Sequence, residues 1–284
     1  MRQFAWVLFA SFVLSGCDTQ SAAEPAPAAI EGDRVTSILN AGVTAELGRA
    51  DATVKFLFDP LYDDHYGSFE VPGEELIAAI INDVSPYDNI DAVFVSHAHG
   101  DHFSVSQLTQ LLAAQDRVQL VAPAQAVEQL HATAEWQDSF EDRVVAIDIE
   151  NGQAAQSFVI GGATIEAIRS PHSGWPERHS KVHNLSFRVS APGGARVMHF
   201  GDADPGLQHF EPHTEFFASA RTGLAIVPFW HLNSDDPEKL IDQTFNAQRA
   251  VGMHVPVDEP DWLSESGWDY FNGLGQQVAV PASE

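Results

Sequence analysis

Apolar positions along the chain fall into short runs of four to eight residues, broken by Gly, Pro, Asn and Asp. Residues 34–47 and 53–58 have strand character, and the second run (TVKFLFD) stops at Asp59-Pro60, where proline ends a ladder. Leu76, Ile77, Ile80 and Ile81 recur at helical spacing over 74–81. The run 92–95 (AVFV) predicts a buried strand ending at Ser96. Leu108, Leu111 and Leu112 predict a helix over 105–112. A strand over 118–121 and a helix over 124–130 follow. Strands are then expected at 144–149, 157–160 and 164–168, the last two joined at Gly161-Gly162, a good hairpin turn. After a polar stretch, 170–184, come strands at 185–189 and 197–200, turned at Pro192-Gly193-Gly194. A strand at 224–228, a helix over 237–247 and a strand at 250–254 complete the pattern. Hairpins alternating with strand–helix units predict sheets covered by helices in one α/β layered domain over 33–284.

Composition narrows the partners rather than the fold. The 284 residues are 44% hydrophobic, ample for a core, but 14 basic residues face 40 acidic ones, a net charge of −26. Such a surface offers no electrostatic footprint for nucleic acid. It also disfavours a strongly anionic substrate unless bound metal supplies positive charge.

Cys17 is the sole cysteine, so no intrachain disulfide can form. It closes an apolar run, 4–14, that has one preceding charge, Arg2, and is too short to span a bilayer. The sequence Leu14-Ser15-Gly16-Cys17 resembles the lipobox of bacterial lipoproteins, which implies cleavage before Cys17 and lipidation of it. Residues 1–17 are thus expected to be a signal peptide, and 18–32, small and Pro-containing, a flexible tether. The protein would then be lipid-anchored in the bacterial cell envelope, facing the periplasm.

Candidate chemistry concentrates where strands meet loops. His97, His99, Asp101 and His102 follow the run 92–95 within six residues. His172 follows the strand at 164–168, Asp202 the one at 197–200, and His254 the last one. Imidazoles and carboxylates recurring at strand ends suit one or two cations that keep a coordination position open for water. Some positions have rivals. His179 and His183 share the polar stretch with His172, Asp204 lies beside Asp202, and His231 follows an apolar strand as His254 does. His231, if not a ligand, is expected to face substrate and donate a proton to the leaving group. His199, inside a strand, reads as a core histidine. Asp59 is open to two readings, a turn residue before Pro60 or a partner of a ligand histidine.

The run His97-Ala98-His99-Gly100-Asp101-His102 resembles the leading H-x-H-x-D-H motif of the metallo-β-lactamase superfamily. His172, the Gly201-Asp202 pair and His254 fall in that family's order, so the resemblance covers about 33–255. It implies a four-layer αββα sandwich with the site along one edge of the two sheets. It also implies that His97, His99 and His172 hold a first metal, that Asp101, His102 and His254 hold a second, and that Asp202 bridges them. Within the superfamily, Leu57-Phe58-Asp59-Pro60, Asp91-Ala92-Val93 and Gly252-Met253-His254 look most like the branch of ascorbate-phosphate lactonases and N-acyl phosphatidylethanolamine phospholipase D.

The implied chemistry is hydrolysis of an ester, lactone, amide or phosphodiester bond in a small-molecule or lipid substrate. A metal-bound hydroxide would attack, and Asp101 would orient it as well as ligate. Imidazole and carboxylate donors without thiolate favour Zn2+, two per chain; iron or manganese would also fit. The alternatives are a mono-iron oxidoreductase of the persulfide dioxygenase type and a non-catalytic binding lipoprotein. Nothing in the pattern sets an oligomeric state.

Overall fold

The computed structural model describes residues 30–49 and 52–282. Cys17, the signal sequence expected over 1–17 and most of the tether expected over 18–32 lie outside the described residues. Among the described residues, no helix is long and apolar enough to cross a membrane.

Two sheets face each other. The first contains β1 (Arg34–Leu39), β2 (Gly42–Arg49), β3 (Ala52–Phe58), β4 (Ala92–Phe94), β5 (Gln119–Pro123) and β6 (Val144–Ile147) in that order, with β13 (Gln277–Ala279) outside β1. The second runs, from its other edge, β12 (Ala247–Met253), β11 (Thr222–Pro228), β10 (Arg196–His199), β9 (Leu185–Ser190), β8 (Ala163–Arg169) and β7 (Gln156–Ile160). The period-two alternation of each strand sorts its side chains between two layers. Phe56, Phe58 and Phe94 point into the core between the sheets with Phe187, Val197 and Leu224. Leu57 and Val93, one residue out of phase, point outward to meet Ile80, Leu108 and Leu111. Those come from the helices α1 (Glu74–Ile81) and α2 (Val105–Ala114), which cover the first sheet with α3 (Ala124–His131). On the second sheet Met198, Phe200 and Ala225 turn outward to Phe210, Phe217 and Phe245. The layers are therefore αββα, as the sequence resemblance implied.

Two details depart from the sequence reading. The single strand expected over 34–47 is broken into β1 and β2, because Leu39 (φ 124°) and Asn40 (φ 48°) reverse the chain. The long helix expected over 237–247 is one wide helical turn, Lys239–Thr244, and β12 takes over at Ala247 to pair with Thr222 of β11. The Gly161-Gly162 turn holds as expected: both glycines have positive φ, and the pair joins β7 to β8.

Strand direction places the site. β3, β4, β5 and β6 pair in parallel, as do β10, β11 and β12. β8 is antiparallel to β9, which is antiparallel to β10, so β8 runs with β10. The carboxyl ends of β3, β4, β8, β10 and β12 accordingly deliver Asp59, His97, His172, Asp202 and His254 to one edge of the sandwich. Parallel packing converges loops in this way at an open edge.

Candidate metal centre

The loop after β4 folds back at once. His102 and Phe103 both donate their backbone N–H to the His99 carbonyl, at 3.0 and 2.9 Å, so residues 97, 99, 101 and 102 face a common space. Gly100 lets a second loop close over this turn. Its carbonyl accepts from the N–H groups of Asp63 and Asp64, its N–H donates to the Tyr66 hydroxyl, and a Cβ there would lie 2.9 Å from Asp64 Cβ.

Seven side chains converge. His97 Nε2 lies 3.0 Å from His99 Nδ1, and these two with His172 form one group able to hold a cation. His102, Asp202 and His254 form another, with the two Nε2 atoms 3.0 Å apart and Asp202 oxygens 3.2 Å from His102 and 3.3 Å from His254. The Asp202 carboxylate also reaches His172 Nε2 at 3.5 Å and so touches both groups. Asp101 groups with His97 and His102, and its Oδ2 lies 3.2 Å from His254 Nε2.

The arrangement fits a metal. Imidazole nitrogens crowd to 3.0 Å, an approach that a shared cation relieves. His172 Nε2 is buried and lacks a hydrogen-bond partner, while its Nδ1 is fixed on the Ser173 carbonyl at 2.9 Å. Buried polar atoms without partners are costly unless an ion or water satisfies them.

The two halves differ electrostatically. On the His97/His99/His172 side burial holds the imidazoles neutral: His97 lies well below its usual range, and His99 is lowered to about 4 by burial and then by the neighbouring His172. On the other side burial acts in the same direction but is outweighed. The Asp202, Asp101 and Asp59 carboxylates hold His102 well above its usual range, and Asp202 and Asp101 raise His254 to about 9. Burial alone would raise Asp202, yet the His254 and His102 imidazoles hold it well below the carboxylate range. The carboxylates thus favour positive charge on this side, whether carried by the His102/His254 pair or by a cation.

A surrounding layer fixes the orientation of these groups. Asp59, fully buried, accepts from Ser96 N–H at 2.7 Å, from Ser96 Oγ at 2.6 Å and from His102 Nδ1 at 2.8 Å. Of the two readings left open for Asp59, the structure shows the histidine partner, and its φ of 44° serves the turn as well. Asp202 N–H donates to Asn184 Oδ1 at 2.9 Å. Gly201, at φ 55°, has no room for a side chain: a Cβ would lie 2.4 Å from Asn184 Oδ1. Asn40 was not anticipated from sequence. Its side chain donates to the Asp101 carbonyl and its own carbonyl accepts from His254 N–H, both at 2.9 Å. The Asn-Ala-Gly run at 40–42 was the available signal, a turn former inside an apparent strand.

The rivals separate. His179 is exposed and lies outside the ligand groups, although its ring stands 4.6 Å from His172 and 5.1 Å from His99. His183 donates its N–H to Gln125 and lies apart. Asp204 caps its own turn, accepting from Gly206 N–H and from Gly174 N–H. His199 is a core histidine stacked on Phe58, with Nε2 on the Ala41 carbonyl at 3.0 Å.

The expectation that His231 faces substrate requires correction. The turn Phe229–Asn233 carries His231 past the strand edge into the outer layer, among Phe200, Phe210 and Phe245. There Nε2 donates to the Ala203 carbonyl at 2.8 Å, and burial lowers the imidazole to about 4. Its neighbours Phe229 and Trp230 face the cleft instead.

That cleft, about 630 Å³, has His99, Asp101, His172, Asp202 and His254 in its wall. It is walled further by Tyr66 and Phe69 from the loop after β3 and by Ser173, Arg178 and His179 from the loop after β8. A volume of this size suits a small molecule.

Residues 55–258 match the family described as the beta-lactamase superfamily domain, and the chain belongs to it. A search of curated proteins by sequence finds no match. Among solved structures the chain is similar to a metallo hydrolase from the hyperthermophilic archaeon Ignicoccus hospitalis, at 15% identity and TM-score 0.53, covering 87% of this chain and 97% of that one. It is similar to an isothiocyanate hydrolase from Delia radicum gut bacteria at 15% identity and TM-score 0.54, covering 88% and 100%. The diiron beta-hydroxylase CmlA from Streptomyces venezuelae shares 13% identity at TM-score 0.55, covering 90% of this chain and 55% of its own. These likenesses show the fold. Together with the family match and the His/Asp groups, they define an enzyme of the metallo-β-lactamase fold.

Proposed function

We propose that the protein is a dinuclear zinc hydrolase acting on an ester, lactone, amide or phosphodiester bond of a small-molecule or lipid substrate. The observation that carries this reading is the pair of ligand groups, His97/His99/His172 and His102/Asp202/His254, with the Asp202 carboxylate reaching both. In this reading Asp101 completes the second group and borders the space where the reaction occurs. When bound, two zinc ions supply Lewis acidity for the substrate oxygen and lower the pKa of a water to about 7.

The chain's own residues then have distinct tasks. Asp59 holds a proton on His102 Nδ1 and so keeps Nε2 free as a donor; the Ser173 carbonyl does the same for His172. Asp101, in the cleft wall with its Oδ2 3.2 Å from His254 Nε2, would accept from and orient the attacking water. Phe69, edge-on to His254 at 4.2 Å, and Trp230, at 5.4 Å, exclude bulk water from that end. The fold it shares with a diiron hydroxylase keeps iron as the alternative metal. Two ligand groups rather than one favour a dinuclear site over the mono-iron persulfide dioxygenase reading. The lipobox at Cys17 supports lipid anchoring at the periplasmic face of the cell envelope.

Metal analysis of the purified protein tests the proposal, together with activity on ester, lactone and phosphodiester panels. About two zinc equivalents and hydrolysis in one panel are expected. His99→Ala should lose both. Unaltered metal content in that variant, or a single iron per chain in the native protein, would refute it.

A further inference from the structure

The two ends of the metal cleft are chemically unlike. At the His254 end the wall is aromatic: Phe69 and Trp230 pack on His254, and Phe229 packs on Trp230 at 5.4 Å. At the His99/His172 end the wall is basic, formed by His179 and Arg178. Arg178 and Arg117 are both exposed, and of the two Arg178 borders the cleft. Arg169, Arg188 and Arg249 are ion-paired to Glu150, Glu166 and Asp269. The Arg178 guanidinium has no ion pair or hydrogen bond among the described residues, in a chain of net charge −26.

Its backbone is held in a turn. Arg178 N–H donates to the Gly174 carbonyl at 2.8 Å, closing a turn that folds the side chain back over Gly174. A Cβ on Gly174 would lie 3.1 Å from Arg178 Nε and 3.2 Å from Nη2, so the guanidinium rests against Gly174, and the φ of +85° there favours glycine. Gly174 N–H is tied to Asp204 at 3.2 Å, which docks the turn against the loop bearing Asp202. The next residue, His179, is held at φ 58°, a left-handed conformation that costs energy for a non-glycine residue and clusters at functional positions.

We propose that the cleft selects an amphipathic monoanion: a carboxylate on the substrate is held by Arg178 at the His99/His172 end, and an apolar group packs on Phe69 and Trp230 at the His254 end. This rests on the hydrolase reading only for what happens between the two ends. A guanidinium presents a planar fork that matches a carboxylate. One such group, above a floor containing Asp101 and Asp202, balances one negative charge and not several. The cleft volume limits the substrate to a small molecule.

The test is calorimetric titration of the zinc-loaded protein with hydrocinnamate and with its neutral amide. The carboxylate also meets the metal, so the comparison is between variants. Arg178→Ala should weaken hydrocinnamate about tenfold and leave the amide unchanged, with Arg178→Lys in between. Trp230→Ala should weaken both ligands alike. Hydrocinnamate affinity unchanged in Arg178→Ala would overturn the proposal, as would equal loss of acid and amide. Hydrolysis of para-nitrophenyl hydrogen glutarate and para-nitrophenyl butyrate separates the two readings. If neither ester is cleaved while the Arg178 effect on binding persists, the anion site stands and ester hydrolysis falls out of the proposed function. If both are cleaved and Arg178→Ala alters neither hydrocinnamate binding nor the KM of the anionic ester, the anion site falls alone.

Discussion

Replacing Asp59 by asparagine changes one atom and should switch the tautomer of His102. In the native chain both Asp59 oxygens accept, Oδ1 from Ser96 N–H and Oδ2 from Ser96 Oγ and His102 Nδ1. An amide can keep its oxygen on Ser96 N–H, and Ser96 Oγ can rotate to accept. The new NH2 then points at His102 Nδ1, which must accept, and the imidazole proton moves to Nε2. That atom faces His254 and Asp202 at 3.0 and 3.2 Å and is the one the second ligand group needs free. Partners of this kind around ligand histidines are worth about 10–100-fold in metal affinity, about 1.4–2.7 kcal/mol. The site is fully buried, so a charge-assisted bond is also lost, destabilising the metal-free protein by roughly 1.5–3 kcal/mol. Competition with a chromophoric chelator reads the first effect and urea unfolding of the metal-free protein the second. We expect one of two zinc ions to be weakened and the other retained. Two zinc ions bound with native affinity in Asp59→Asn would refute the tautomer argument.

Three further expectations follow from the same geometry. Because His102 and His254 are raised above neutrality by Asp202 and Asp101, zinc loading at pH 7 should release about one to two protons per chain, and affinity should rise with pH; buffer-dependent calorimetric heats measure this, and no release would contradict the charge balance described. Burial lowers His231 from 6.5 to about 4, so the unfolded chain takes up a proton that the folded chain refuses as pH falls through that window. Stability should drop by roughly 3 kcal/mol between those values on this account, and His231→Leu should flatten the difference in urea unfolding at the two pH values, since Trp230 Nε1 still satisfies the Ala203 carbonyl. Gly201→Ala should destabilise by about 1–3 kcal/mol and lower metal content, because φ 55° and the contacts with Asn184 and Ser96 leave no space for a methyl group; a variant of native stability with full metal content would count against it.

Much of the architecture was written in one dimension. Strand runs near 92–95 and 224–228 are apolar on both faces because each strand is covered on both sides, while 53–58 and 164–168 alternate, with Lys55, Thr164 and Glu166 on a less buried face; both patterns are visible locally. The motif from His97 to His102 was equally legible, since all its ligands lie in one loop and no distant contact is needed to bring them together. The break at Leu39–Asn40 was not. Residues 34–47 carry apolar positions on both sides of it (Val35, Ile38, Val43, Ala45, Leu47), and the reversal depends on Asn40 bonding with Asp101 and His254, residues 61 and 214 positions away, to compensate for its left-handed backbone. The helix expected over 237–247 failed for a similar reason: Ala247 is captured by Thr222 in a strand pair that the helical periodicity could not foresee.

The clearest division lies between His231 and His254. Each follows an apolar parallel strand, and by sequence the two are near equals. The sequence by itself determined that this chain places imidazoles and carboxylates at strand ends around a buried H-x-H-x-D-H loop. Tertiary structure alone decided which of them meet. β11 runs into a tight turn that rolls His231 outward into a phenylalanine layer. β12 stops at Met253, and His254, at φ 61° with its N–H held by the Asn40 carbonyl, is turned inward onto His102. The direction of a side chain one residue past a strand is set by the backbone torsion there, and that torsion is paid for by a partner distant in sequence.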